Sequence, residues 1–353
     1  MGRRFATSTE TCPARSVGKI PSKQLPSNAQ VMRAIRFETF GDPSVLELME
    51  VPAPTADETT AVVRVMAASI NPSDVKNVAG AMKQTTLPRV PGRDFAGVVE
   101  AGPAEWIGAE VLGTGGDVGY TRDGSHAELI AVPVASLRRK PELLSFDQAA
   151  SVGVNYMAAW MGIEAANLKA GETVLLIGAG GGVGSAAAQI ARRLGARVIG
   201  ADIRAPLPDA PIYAIAEKLI IGAEDLPAEV RAVTDGRGAN VVFDLVGGVM
   251  FRNAVNSLAR GGRLIEIAAT GRREVCFDLV DFYHNESRLF GIDTLKHDLK
   301  ASAKVLDALT PGFVAGDYHA APITESFGLD KAQEAYRKVE AGAAGRIVLR
   351  AQE

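Results

Sequence analysis

The sequence predicts an α/β protein in which a β-rich domain leads into a doubly wound parallel sheet. Two observations carry this reading. Up to about residue 150 the chain offers short apolar runs separated by Gly- and Pro-containing turns, as β-rich domains do. From Thr173 onward, β-branched runs alternate with helical stretches, the pattern of parallel strands joined by crossover helices. The length of 353 residues suffices for about two domains with cores of their own.

In chain order, residues 1–31 stand apart. They carry Arg3, Arg4, Arg15, Lys19 and Lys23 against the single acid Glu10, with frequent Ser, Thr and Pro and no hydrophobic period. Such a segment is expected to be a disordered extension. Its composition also suits a transit peptide, and Met32, which opens the first convincing strand at Met32–Phe37, is an alternative start. Strands follow at Ala61–Ala68 and at Phe95–Glu100, the second entered through Pro91-Gly92, with Gly113–Gly119 as punctuation. Phe146–Ile163 is small and apolar enough for helix, with Ser145 and Asp147 as capping groups.

The parallel set begins at Thr173–Ile177. The helix after it places Val183, Ala187, Ile190 and Leu194 on one stripe. Arg197–Ala201, Lys218–Ile221, Val241–Leu245 and Arg263–Ala268 continue the strands, Lys331–Ala341 reads as helix, and Arg346–Leu349 is a strand able to rejoin the first domain. The expected division is an extension at 1–31, a β-rich domain at 32–154, the parallel-sheet domain at 155–295, and a return to the first domain at 296–353.

Composition narrows the partners. A net charge of −3 gives no attraction to nucleic acid or to an anionic membrane surface. No apolar run approaches the roughly 20 residues that span a bilayer. Cys12 and Cys276 form no C-x-x-C pair, which fits a reducing cytoplasm.

The strongest motif is Gly178-Ala179-Gly180-Gly181-Gly182-Val183-Gly184, set between a strand and a helix. Its best register is A-x-G-x-x-G, with Ala179, Gly181 and Gly184 at the fingerprint positions. The glycines permit a tight turn and let backbone N–H groups approach a pyrophosphate, which then faces the positive end of the helix. Asp202 ends the next strand, 21 residues after Gly181, where it can accept a hydrogen bond from a ribose 2′-hydroxyl. A 2′-phosphate at about 4 Å would be repelled by roughly 1–4 kcal/mol. Arg204 lies two residues on and could offset that repulsion. The expected cofactor is NAD(P)H, with NADH slightly favoured.

With these residues in place, the chain from Met32 onward resembles the medium-chain dehydrogenase/reductase superfamily, and within it the zinc-free quinone oxidoreductase and enoyl reductase branch that includes ζ-crystallin. The resemblance is carried by Asn71-Pro72-Ser73-Asp74, Pro91-Gly92-Arg93-Asp94-Phe95-Ala96-Gly97-Val98-Val99, the glycine turn, Phe243-Asp244-Leu245-Val246-Gly247-Gly248 and Gly345-Arg346-Ile347-Val348-Leu349. It implies a GroES-like catalytic domain split by an inserted Rossmann domain, with the active site between them. It also implies homodimers joined through the sheet edge, here the strand around Leu289–Thr294. Zinc-dependent relatives place a cysteine where this chain has Asn71, a histidine where it has Arg93, and a third ligand near Val154. Neither Asn nor Arg is a usual zinc ligand, so no metal is expected. His126, His284, His297 and His319 show no ligand spacing and read as loop or surface histidines.

Without a metal, the substrate oxygen must be polarised by hydrogen-bond donors. The resemblance makes Asn71 the first such candidate. It implies a tyrosine either where this chain has Lys76 or where it has Met82, so Lys76 becomes a second candidate, and Tyr120 and Tyr156 are other sources of a hydroxyl. Val246 and Gly247 are expected beside the cofactor ribose, Ala268, Ala269 and Thr270 at the end of the next strand, and Gly291, Ile292 and Asp293 near the carboxamide. The leading expectation is a reductase of quinones or α,β-unsaturated carbonyls. An alcohol dehydrogenase, or a nucleotide-binding protein without turnover, is the alternative.

Overall fold

The computed structural model describes residues 30–353, so the expectations for most of the N-terminal extension and for Cys12 lie outside the described residues. The first part runs β1 (Val31–Arg36), β2 (Glu47–Pro52), β3 (Thr60–Ser69), α1 (Pro72–Val78), β4 (Phe95–Ala101), β5 (Glu110–Gly113), β6 (Leu129–Pro133) and β7 (Arg138–Arg139). Two helices, α2 (Phe146–Ala150) and α3 (Gly153–Ala166), lead into the parallel set. That set is β8 (Thr173–Ile177), α4 (Gly182–Arg193), β9 (Arg197–Asp202), α5 (Ile212–Ile215), β10 (Lys218–Ile221), α6 (Leu226–Ala232), β11 (Ala239–Asp244), α7 (Phe251–Asn256), β12 (Leu258–Glu266), α8 (Leu279–His284) and β13 (Arg288–Gly291). The chain closes with α9 (Leu299–Val314), β14 (Ile323–Gly328), α10 (Ala332–Glu340) and β15 (Arg346–Arg350).

One sheet is parallel, in the order β10-β9-β8-β11-β12-β13. Side chains alternate across it, as strand geometry requires. Val174 and Leu176 join Ile163, Ala187, Ile190 and Leu309 in the core under α3, α4 and α9. Leu175 and Ile177 join Val230, Phe251 and Leu264 under α6 and α7. Both faces are therefore covered, which is why these strands read as unbroken apolar runs. Strand order reverses between β8 and its two neighbours, and ligands of such sheets bind outside the strand carboxyl ends at that point.

The second sheet is mostly antiparallel, in the order β14-β15-β3-β4-β5-β7, with β6 also on β3. β15 pairs with β3 through Val348–Ser69 and Leu349–Ala68, so the end of the chain returns to its beginning. That return sets Arg346 beside the turn that carries Asn71.

The single helix expected at Phe146–Ile163 is two helices, broken at Ser151–Val152. Asp94 causes the break. Its Oδ1 accepts from the Val154 N–H at 3.0 Å, a helix-start donor that has no partner within the helix. Gly153 is needed there because an added Cβ would lie 2.6 Å from that carboxylate.

Candidate active site

The glycine turn closes on itself. Gly178 has φ +86°, and a Cβ on Gly184 would fall 2.5 Å from the Gly178 carbonyl oxygen, so the start of α4 packs on the turn with no room for a side chain. A Cβ on Gly182 would meet the Asn155 amide at 2.7 Å. Beside the turn lies a cavity of about 440 Å³, whose wall includes Pro72, Asn155, Asp202, Arg204 and Arg346. A larger cavity of about 760 Å³, near the end of α4 and Asp317, lies away from the strand ends and holds none of the expected site residues.

Gly180, Gly181, Gly182, Val183 and Gly184 all line the smaller cavity, whereas Ala179 is buried behind the turn. Asp202 braces it, since its Oδ2 accepts from Gly180 N at 3.0 Å and its Oδ1 from Ile203 N at 2.8 Å. Arg204 is exposed on the same wall. Backbone donors, a helix N-terminus and the Arg346 guanidinium, whose Nε is buried without a partner, make a cradle that fits a pyrophosphate.

The strand ends differ from expectation by one residue. Leu245 and Ile267 line the cavity, where Val246 and Ala268 were expected, because β11 and β12 stop at Asp244 and Glu266. Asp244 Oδ1 accepts from Val246 N at 3.0 Å and Gly247 N at 2.8 Å, which turns the chain after β11 and leaves Val246 beside the glycine turn, its Cγ2 3.4 Å from where a Cβ on Gly178 would lie. Gly247 has φ +61°, and a Cβ there would lie 1.9 Å from the Ala268 carbonyl oxygen. Gly247, Ala269, Thr270, Gly291, Ile292 and Asp293 continue along the strand-end edge toward β13 and do not reach the wall of this cavity. Asp244 and Glu266 stand in register on adjacent strands. Asp244 Oδ2 and Glu266 Oε1 are both buried without a partner. Burial pushes both carboxyls up, Glu266 to about 8, so Glu266 stays largely protonated near neutral pH.

The polar centre between the domains is built on Asp94. Its Oδ2 accepts from the Asn71 amide nitrogen at 3.1 Å. Asn71 Oδ1 accepts from Arg346 Nη2 at 2.6 Å, and that nitrogen also donates to Ser69 Oγ at 2.9 Å. Asn71 heads α1, where its backbone N–H donates to Asp74 Oδ2 at 2.8 Å. Asp74 is wholly buried, its other oxygen has no partner, and burial pushes its carboxyl up to about 7. Arg93, 1% exposed, donates to Gly115 O at 3.1 Å and to Thr294 Oγ1 at 3.2 Å. Among the described residues no group of three or more His, Cys, Asp or Glu is placed to hold a metal ion.

Three expectations are corrected, for Tyr156, Tyr120 and His126. Tyr156 is a core residue: its hydroxyl donates to the His319 carbonyl at 3.0 Å, and its ring packs on Phe313 and Tyr318. Tyr120 is fully buried under the Arg93 guanidinium, with its hydroxyl on the Ser73 carbonyl at 3.4 Å. Burial pushes both phenols above their usual range, which makes them poorer proton donors. Lys76 is exposed on the last turn of α1. His126 is buried rather than a surface histidine: it contacts the Tyr336 hydroxyl at 2.8 Å, and burial pushes it down to about 4. Arg346 and Asn155 had not been singled out. Arg346 was visible only as the residue after Gly345 at a strand start.

Comparison with known proteins places this geometry. Residues 57–142 match the alcohol dehydrogenase GroES-like domain family, and residues 182–308 match the zinc-binding dehydrogenase family. A zinc-type alcohol dehydrogenase-like protein of Schizosaccharomyces pombe is 34% identical over 88% of this chain and 94% of its own length. A quinone oxidoreductase of Lama guanicoe is 30% identical over 91% of this chain and 98% of its own. The solved quinone oxidoreductase of Pseudomonas syringae pv. Tomato DC3000 superposes with a TM-score of 0.77, at 26% identity, over 90% of this chain and 99% of that one.

Proposed function

The chain belongs to the medium-chain dehydrogenase/reductase superfamily, in its ζ-crystallin-like quinone oxidoreductase branch, and on that footing we propose a metal-free NAD(P)H-dependent reductase of quinones or α,β-unsaturated carbonyls. The observation that carries this reading is the Asn71 amide, fixed at both ends by Arg346 and Asp94. An amide nitrogen has two N–H groups and only one is spent on Asp94, so the second would be a donor for a substrate oxygen; Asn71 itself is buried, and its neighbours Pro72 and Arg346 line the cavity. The Arg346 guanidinium on its oxygen opposes a divalent cation there and favours a substrate oxygen that gains negative charge.

The bound cofactor would supply the hydride. The glycine turn and α4 would hold its pyrophosphate, with Arg346 also on the cavity wall. Asp202 would meet the ribose and favour NADH, and Arg204 on the same wall would counter it. The Asn71 N–H then stabilises the enolate oxygen left when hydride reaches the β-carbon of an enone. Homodimer formation is part of the proposal. β13 is an edge strand, and Leu289 on it and Tyr283 and Leu279 on the adjoining α8 are exposed.

The test is oxidation of NADH and of NADPH by the purified protein against a panel of quinones, enones and enoyl thioesters, with simple alcohols and NAD(P) in the reverse direction. The proposal predicts turnover on the first panel. Alcohol oxidation alone would favour an alcohol dehydrogenase, and cofactor binding without turnover on any panel would favour a non-catalytic nucleotide-binding protein.

A further inference from the structure

Arg93 is a large, fully buried cation, and among the described residues no carboxylate oxygen lies within 4.0 Å of its guanidinium. A buried charge with no carboxylate in contact must be held by hydrogen bonds. Arg93 spends its donors on two different parts of the molecule. Nε donates to the Gly115 carbonyl at 3.1 Å, in the loop after β5 of the first domain. Nη1 and Nη2 reach Thr294 Oγ1 at 3.2 Å and the Thr294 carbonyl at 3.4 Å, just past the last strand of the parallel sheet. The Tyr120 ring lies 5.8 Å from the guanidinium and supports it.

The seam around this contact is tight. Gly116 N donates to the His297 carbonyl at 2.6 Å, and Leu299 N to Asp117 Oδ1 at 3.0 Å. A Cβ on Gly116 would fall 2.5 Å from the Leu295 carbonyl oxygen. The short segment between β13 and this seam is thus strung between two anchors. At one end Ile292 N donates to the Glu266 carbonyl at 3.0 Å, inside the sheet, and at the other Thr294 is held by Arg93. The next residue, Asp94, holds Asn71. Neighbouring residues of one strand entry therefore fix the two halves of the site: Asp94 the group that meets the substrate, Arg93 the edge along which the nicotinamide end of the cofactor would lie.

We propose that Arg93 is a positioning residue that locks segment 291–294 against the first domain and so sets the nicotinamide end of the cofactor against Asn71. The proposal rests on the dinucleotide reading above. Its physical basis is that hydride transfer needs the reacting atoms about 3–3.5 Å apart, and a misplacement of about 1 Å can cost on the order of a hundredfold in rate.

The experiment compares binding of NADH with binding of ADP-ribose, which lacks the nicotinamide, by titration calorimetry on wild type, Thr294→Val, Arg93→Met and Arg93→Lys. A latch at the nicotinamide end predicts that Thr294→Val and Arg93→Met weaken NADH about tenfold or more and leave ADP-ribose within about twofold. Arg93→Lys, which keeps the charge but not the fork, should recover part of the loss. Equal weakening of both ligands would overturn the proposal, because a general lesion of the fold does that. Unchanged binding of both ligands by Thr294→Val would overturn it too. Thr294→Val removes only a half-buried hydroxyl, so it decides the matter even if Arg93→Met fails to fold. Wild type that binds neither ligand would instead overturn the dinucleotide reading, and this proposal with it.

Discussion

Arg346 Nη2 donates to Asn71 Oδ1 at 2.6 Å, across 275 residues of sequence, and this contact fixes which way the amide faces. With its oxygen held by a guanidinium, the nitrogen side turns to Asp94. Asn71→Ala should therefore lower turnover on an enone by about a hundredfold or more, roughly 3 kcal/mol, while cofactor affinity stays near wild type. The defect should be smaller with quinones, which accept hydride readily. Turnover within about threefold of wild type would make the residue a helix cap only.

The proposed preference for NADH rests on Asp202. Its carboxylate lines the cavity beside the glycine turn, so Asp202→Ser should move the kcat/KM ratio toward NADPH by about tenfold, the equivalent of about 1.4 kcal/mol. The same substitution removes the brace on Gly180 N, so NADH efficiency should fall as well. A wild type that strongly prefers NADPH would show that Arg204 outweighs Asp202.

The Asp244–Glu266 pair makes stability depend on alkali. Glu266 is raised in the fold from an ordinary 4.5 to about 8, and Asp244 is raised too. A group whose folded pKa is raised contributes stability that is fully present below the unfolded value and is lost as pH rises through the folded one. The melting temperature should therefore fall as pH rises from about 4.5 to about 8, and level off above that. Glu266→Gln cannot ionise, so it should show a flatter profile and a higher melting temperature than wild type at the alkaline end. Parallel profiles for the two proteins would contradict the raised Glu266 carboxyl.

Tyr156 should matter for stability and little for catalysis. Tyr156→Phe removes one of two donors to the His319 carbonyl, which Gln189 Nε2 still reaches at 3.0 Å, so it should cost about 1 kcal/mol or less, with turnover within about twofold of wild type. A large loss of turnover at unchanged stability would return the hydroxyl to the mechanism.

Which of these features were legible in the sequence follows from how local they are. The glycine turn, its strand and its helix depend on neighbouring residues, and Thr173–Ile177 and Lys218–Ile221 lie where the apolar runs put them. Tyr156 was misread because α3 is buried on nearly every side, so no polar stripe marks which face meets a cleft. The one-residue displacement to Leu245 and Ile267 comes from Asp244, whose carboxylate caps the chain after β11, a contact that no periodicity reveals. Arg346 acquires its role only when β15 pairs with β3. The Arg93–Thr294 contact spans 201 residues and exists only once both domains are built.

The central claim is that hydrogen-bond donors, not a metal, polarise the substrate. It is tested most directly by turnover of an enone or quinone with NADH before and after treatment with a strong chelator, with zinc content measured on the same untagged sample. The account predicts well below one zinc per chain and turnover unchanged by the chelator. Stoichiometric zinc, with activity lost on chelation and restored by adding zinc back, would contradict it.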